Sequence, residues 1–190
     1  MIHIIYLLGG NSQRFQSNKL LTLYKNQYLY QYGYNVLKQL VASRSDCSLL
    51  VVTQYQDIHN QIESSLFHQD CQKGLSYTIQ HGMNHIQYDT DDYFMFVVGD
   101  QPFMNIYTLH HMINEVLQQK PLVASLAYKQ RLGNPTMFHC SLAPELLDLK
   151  GDEGGRKVYY KHLDSCINIQ VEDEKELYDI DTIEDMQKAL

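Results

Sequence analysis

The chain has 190 residues, 15 Lys and Arg against 22 Asp and Glu, a formal net charge of −7, and a composition 44% hydrophobic and 19% charged. That length suits one domain able to bury roughly 70% of its unfolded surface, and the composition excludes a disordered or low-complexity chain. The acidic balance excludes a nucleic-acid-binding face, which needs basic charge, but leaves an anionic substrate open, because a small site can focus a few cations or a divalent metal.

The first predicted element is a strand over Ile2–Leu8, apolar or β-favouring throughout except at His3, the pattern of a strand covered on both faces. Gly9 and Gly10 end it, and Ser12, Arg14 and Lys19 follow in one short loop. Adjacent glycines let backbone amides approach a ligand with no Cβ in the way. Bare N–H groups with an Arg and a Lys suit a polyphosphate; an ordinary turn with solvated cations is the alternative. A Walker A loop is excluded because no second Gly precedes Lys19, and the dinucleotide fingerprint because the glycines are adjacent.

Helical spacing of Leu29, Tyr32, Val36, Leu37, Leu40 and Val41 predicts a helix over about Gln27–Ser43. Ser48–Thr53 reads as a second buried strand, Asp57–Leu66 as a polar helix and His68–Gln72 as a short strand. Gly74, Ser76 and Thr78 open a helix running to about Ile86, where small and hydroxyl residues either cap the N-terminus or leave its N–H groups free for an anion. Tyr93–Val98 is a third strong strand, ended by Gly99-Asp100-Gln101-Pro102.

A helix follows from Ile106 to Leu117, then a strand over Leu122–Ala127, a turn at Gly133-Asn134-Pro135 and a short helix over Pro144–Leu149. Gly151–Arg156 leads into a helix to about Leu163, Ser165–Val171 alternates as a strand, and the chain closes with a helix after Thr182. Strand and helix alternate, so the expected class is α/β, with a mostly parallel sheet whose ligand sits beyond the carboxyl ends of the strands. The four cysteines, 47, 71, 140 and 166, form no C-x-x-C pair, so reduced thiols are expected. No apolar run reaches membrane-spanning length and no basic region precedes the first strand, so a cytoplasmic chain without signal peptide is expected.

Asp100 stands just past an apolar strand, held between Gly99 and Pro102, where it is either a turn aspartate or a ligand for Mg²⁺. Asp179 and Asp181 flank Ile180 and, as strand residues, would point the same way about 7 Å apart, so either could complete a two-carboxylate metal site with Asp100. Thr182 and Asp185 have capping-box spacing. Arg156, behind two glycines at a helix start, is a candidate for an anionic second substrate or a solvated surface arginine. No Ser-His-Asp order, nucleophile elbow or placed cysteine nucleophile is evident, so in an enzyme the reagents supply the nucleophile while the protein supplies positioning and charge, as in phosphoryl or nucleotidyl transfer.

Taken together, LLGGNSQRFQSNK, GLSYT, GDQP, GNP, GDEGGR and DIDTIED, in this order across nearly the whole chain, resemble the MobA-like nucleotidyltransferases, the molybdenum-cofactor cytidylyl- and guanylyltransferases and their relatives. The resemblance implies one nucleotidyltransferase domain over 1–190 on a three-layer, Rossmann-like, glycosyltransferase-A-type sheet with helices on both faces. It implies that Leu8, Gly9, Gly10, Ser12, Arg14, Lys19, Gly74, Ser76 and Thr78 bind CTP or GTP. Arg14, Lys19 and Asp100 are then catalytic, Asp100 and Asp181 hold Mg²⁺, and Gly133, Pro135 and Arg156 receive a phosphorylated acceptor such as molybdopterin. A phosphate on the acceptor attacks the α-phosphorus and pyrophosphate leaves. Gln16 stands where the family has Gly; Gly9 looks like the guanylyl type, whereas GLSYT and DIDTIED look like the cytidylyl type. Two further readings stand beside this one: a catalytically reduced accessory protein for a molybdoenzyme such as purine or xanthine dehydrogenase, and a sugar-phosphate nucleotidyltransferase.

Overall fold

The structure, a computed structural model, describes residues 1–9 and 18–188. Strands β1 (Ile2–Leu8), β2 (Leu23–Tyr24) and β3 (Gln27–Tyr28) precede helix α1 (Leu29–Ser43). Then come β4 (Cys47–Thr53), α2 (Gln56–Gln61), β5 (Leu66–Phe67), α3 (Leu75–Asn84), β6 (Tyr93–Val98) and α4 (Ile106–Gln119). The chain continues through β7 (Val123–Tyr128), β8 (Arg131–His139), α5 (Ala143–Leu147), α6 (Arg156–Tyr159), β9 (Cys166–Gln170) and α7 (Ile183–Lys188). Seven strands form one sheet in the order β5-β4-β1-β6-β8-β7-β9, and β2 and β3 form a separate two-stranded ribbon.

The alternation of a strand's side chains sorts the core into two layers. Ile2, Ile4, Tyr6 and Leu8 of β1 pack with Leu37 and Leu40 of α1 and with Met112 and Val116 of α4. Ile5 and Leu7 face the opposite side, with Ile79 and Met83 of α3, Leu146 of α5 and Val158 of α6. With both faces covered, β1 has no solvent side, which is why its sequence is a continuous apolar run. Among the described residues no helix is long and apolar enough to cross a membrane.

β1 pairs in parallel with β4 on one side and β6 on the other. The chain moves outward from β1 to β4 and β5, then returns to lay β6 on the other flank, so the order reverses between β1 and β6. A reversal of this kind opens a crevice beyond the carboxyl ends of the two strands. Gly9 and Asp100 stand at its two sides.

The structure corrects several local expectations. Gly133-Asn134-Pro135 is not a turn but lies within β8, which is antiparallel to both β6 and β7. The pairing with β7 jumps from Ser125↔Thr136 to Leu126↔Gly133, which leaves Asn134 and Pro135 out of the ladder. A proline lacks the N–H a ladder needs, and a bulge is where a strand tolerates it. Leu66–Phe67 rather than His68–Gln72 forms the edge strand, and residues Gln69–Lys73 coil into a 3₁₀ turn. The helix after Arg156 ends at Tyr159.

Candidate functional site

Lys19 opens a 3₁₀ turn over Lys19–Leu21, whose cap is Asn18; its side chain accepts from the Leu20 amide at 3.1 Å. Leu20, 4% exposed, plugs into the core beside Leu8 and Gly99, which anchors the turn to the ends of β1 and β6. From that anchor the Lys19 ammonium donates to Asp100 Oδ2 at 2.7 Å and to Asp181 Oδ1 at 2.8 Å. Three residues remote in the chain therefore meet at one nitrogen.

Burial pulls the Lys19 pKa down, but the Asp100 charge and hydrogen bond, followed by those of Asp181, outweigh it and hold the ammonium above the usual lysine value. Asp100 Oδ1 is buried and has no hydrogen-bond partner among the described residues. That carboxylate is incompletely satisfied by the protein, so a further positive charge beside it is stabilising. The two carboxylates bridged by one cation are hard oxygen donors, the set that takes a hard divalent ion together with phosphate oxygens.

The closing segment is set by local capping and by one long-range bond. Asp185 Oδ2 accepts from the amides of Asp181 and Thr182 at 3.1 and 2.8 Å, and the Asp185 amide donates to Thr182 Oγ1 at 3.1 Å, the expected capping box. The Ile180 amide donates to the Asp100 carbonyl at 2.9 Å, and its side chain is 1% exposed. This pins Asp181 beside Asp100. Residues 178–181 are not a strand, so strand rise does not set the spacing of Asp179 and Asp181, although both border one cavity with Phe103 and Tyr178. Asp179 accepts from Gln101 Nε2 at 2.8 Å. The residue is solvent-exposed, yet the protein crowding its carboxyl, then the Asp100 charge, raise its pKa.

On the other side of the crevice, the Leu8 carbonyl accepts from Thr53 Oγ1 at 3.0 Å. A Cβ on Gly9 would fall 2.4 Å from Thr78 Oγ1, so only glycine lets the strand end lie against α3. Thr78 is fully buried, and its hydroxyl has no hydrogen-bond partner among the described residues. Gly74 adopts φ 139° and abuts the Gly151 backbone. The Gly151 carbonyl accepts both the Ser76 amide at 3.0 Å and the Ser76 hydroxyl at 2.8 Å. Ser76 is therefore not the cap of α3; it clamps the 151–155 loop over the helix start. Gly10, Ser12, Arg14 and Gln16 lie outside the described residues.

Two adjoining cavities extend the cleft past Asp100. The smaller, of about 220 Å³, has walls that include Leu75, Phe96, Phe138, Gly133 and Arg156. The larger, of about 630 Å³, shares Gly133, Asn134 and Arg156 and adds Gln101, Lys129 and Arg131. Arg156 is steadied by the Leu132 carbonyl, 3.1 Å from its Nη2. Pro135 is buried behind these walls and is not part of them. Sequence reasoning missed Arg131, Asn134 and Gln101. For Gln101 the signal was present, since it directly follows Asp100; for Arg131 none was.

The sequence profile of the MobA-like NTP transferase domain matches residues 4–166. This chain belongs to that family. It is 25% identical over 195 residues to the purine catabolism protein PucB of Bacillus subtilis strain 168, covering 95% of this chain and 92% of that protein. Among solved structures, a nucleotidyl transferase from Methanothermobacter superposes with a TM-score of 0.79 at 16% identity, covering 100% of this chain and 95% of the other. Molybdopterin-guanine dinucleotide biosynthesis protein A from Archaeoglobus fulgidus superposes with a TM-score of 0.67 at 15% identity, covering 100% and 96%. The mixed α/β fold with its largely parallel sheet is thus that of the nucleotidyltransferases.

Proposed function

We propose that the protein is a Mg²⁺-dependent nucleotidyltransferase that moves CMP or GMP from CTP or GTP to a phosphorylated cofactor precursor, molybdopterin being the leading candidate, and releases pyrophosphate. The observation that carries the reading is the convergence of Lys19, Asp100 and Asp181 at the β1/β6 crevice, with Lys19 bridging the two carboxylates at 2.7 and 2.8 Å. The names of the two structural neighbours support it, one a nucleotidyl transferase and the other a protein of molybdopterin-guanine dinucleotide biosynthesis.

Lys19 and Arg14 bind the triphosphate. Leu8, Gly9, Gly10, Ser12, Gly74, Ser76 and Thr78 bind the nucleotide. Asp100 and Asp181 hold Mg²⁺, which when bound neutralises charge on the phosphate oxygens. The acceptor sits in the cavities beyond Asp100, where Gly133 forms the wall, Pro135 backs it and Arg156 takes its negative charge. An acceptor phosphate oxygen forms a bond to the α-phosphorus, the bond from that phosphorus to the bridging oxygen breaks, and pyrophosphate departs with the electron pair. The protein contributes alignment and preorganised charge. We place the reaction in the cytoplasm.

Pyrophosphate release from CTP or GTP with molybdopterin and Mg²⁺ tests the reading, and Asp100→Asn should abolish it. Nucleotide binding with no release, indifferent to Asp100→Asn, favours the second reading: an accessory protein for the maturation of a molybdoenzyme. The relative named for purine catabolism speaks for that alternative. Release driven by sugar 1-phosphates and not by molybdopterin would move the acceptor to the sugar class.

A further inference from the structure

One carboxylate of the cleft has no task in the reaction as described. Asp179 borders both cavities beyond Asp100, and among the described residues it is the only acidic side chain on the walls of the 220 Å³ one. Gln101 donates to its Oδ1 at 2.8 Å and is itself only 2% exposed, so a fixed amide orients the carboxylate. Asp179 does not complete a ligand set with Asp100 and Asp181: among the described residues no three carboxylate, imidazole or thiol groups are arranged to hold one ion.

The walls around Asp179 are those of a slot for a ring. Partly exposed Leu75 supplies apolar surface, with the buried rings of Phe96 and Phe138 behind the wall, and Arg156 supplies the cation. The loop glycines keep the slot narrow, since a Cβ on Gly155 would strike the Phe138 ring at 2.7 Å. An ionised carboxylate only accepts hydrogen bonds, and its two oxygens lie side by side. Its complement on a flat ligand is a pair of N–H groups along one edge, as in an amidine or 2-amino-pyrimidinone unit. A ligand that offers a carbonyl there instead faces like charge and leaves the carboxylate desolvated and unpaired, which is how polar sites reject close analogues.

We propose that Asp179, held by Gln101 as a positioning residue, selects the heterocycle of the acceptor by accepting hydrogen bonds from an N–H pair on its edge. Assigning this cavity to the acceptor rests on the nucleotidyl-transfer reading above. The probes are pterin-6-carboxylate, which carries the amino group, and lumazine-6-carboxylate, which has a carbonyl in its place. Each is titrated into the full-length protein by fluorescence. Wild type should bind the pterin at least about tenfold more tightly. Asp179→Asn should erase the preference, and Gln101→Leu should reduce it with the circular dichroism unchanged. The thermal shift given by Mg²⁺ with CTP or GTP should survive Asp179→Asn. Equal affinities in wild type, or no binding of either probe, would overturn the proposal. So would loss of the metal-nucleotide shift in Asp179→Asn, which would make Asp179 part of the triphosphate site. Pterin selectivity without any pyrophosphate release would sink the transfer reading and leave the selectivity of Asp179 standing.

Discussion

Lys19 and Asp100 lie 81 positions apart in the chain and meet at 2.7 Å across the ends of two neighbouring parallel strands. The same ammonium reaches Asp181, 162 positions away, at 2.8 Å. Short range is what gives this triad its leverage. Lys19→Ala should lower the rate of pyrophosphate release by about 10²–10³, roughly 3–4 kcal/mol, the usual effect of removing one preorganised group. Lys19→Arg should retain charge but not geometry, and recover only part of the rate. A loss below tenfold in the alanine variant would remove Lys19 from the machinery.

Mg²⁺ and nucleotide should stabilise the protein together. A ligand at a hundredfold excess over its Kd adds about 2.7 kcal/mol, enough for a clear rise in melting temperature. Chelation with EDTA should cancel the rise, and Asp100→Asn should prevent it. If CTP and GTP shift the wild type equally with and without the metal, the two carboxylates do not serve as ligands.

Gly74 is a sharp site for testing the clamp between α3 and the loop at Gly151. Its φ of 139° suits glycine, and a Cβ would lie 2.2 Å from the Gly151 carbonyl oxygen and 2.9 Å from the Asp152 amide nitrogen. Backbone cannot swing aside as a side chain can. Gly74→Ala should cost about 2 kcal/mol or more, read as a reduced midpoint in urea unfolding. Ser76→Ala, which removes only the hydroxyl bond to Gly151, should cost about 1 kcal/mol.

Gly33 sets two effects against each other. It lies inside α1, where alanine gains about 1 kcal/mol of helix propensity. A Cβ there, however, would sit 2.5 Å from the Tyr6 hydroxyl, which donates to the Tyr30 carbonyl at 2.7 Å, and the Tyr6 ring is fully buried. Overpacking a rigid core costs about 1–3 kcal/mol. Gly33→Ala should therefore be net destabilising, and a raised melting temperature would show that the Tyr6 ring has room to retreat.

Asp92 predicts the acid side of the stability curve. Its carboxyl is buried, which raises the pKa. Bonds from the Met1 amino group at 2.5 Å, the Asp89 amide at 2.8 Å and His3 Nε2 at 3.0 Å outweigh that and lower it from 3.8 to about 2. A depressed carboxyl pKa stabilises the fold above its unfolded value of 3.8, and the contribution disappears as the pH falls towards 2. Its size is on the order of 1–2 kcal/mol after allowance for solvent screening. Urea unfolding between about pH 5 and 2 should show this loss in wild type and a flatter curve in Asp92→Asn. Identical slopes would refute the assignment.

Local pattern made much of this molecule readable. A run such as Ile2–Leu8 is apolar on successive residues only when both faces are covered, so it announces an inner strand. Likewise, Asp100 after the strand Tyr93–Val98 and Asp181 before the Thr182–Asp185 cap stand in short motifs whose chemistry survives without the fold. Lys19, too, was named from its loop. Of the two local readings at the start of α3, capping by Ser76 fails, because nothing local says that the Gly151 carbonyl, 75 positions on, takes its hydroxyl. Pro135 argued for a turn, and only the shifted register between β7 and β8 admits it to a strand.

The sequence by itself determined that strands and helices alternate, that the inner strands are buried, and which residue types carry charge at the strand ends; these follow from side-chain period and backbone preference over a few residues. The fold alone decided that Lys19 bridges Asp100 and Asp181, that Asp179 accepts from Gln101, and that the 151–155 loop closes over α3. Those are contacts between segments far apart in the chain, and their distances depend on strand order and register, which no local preference contains.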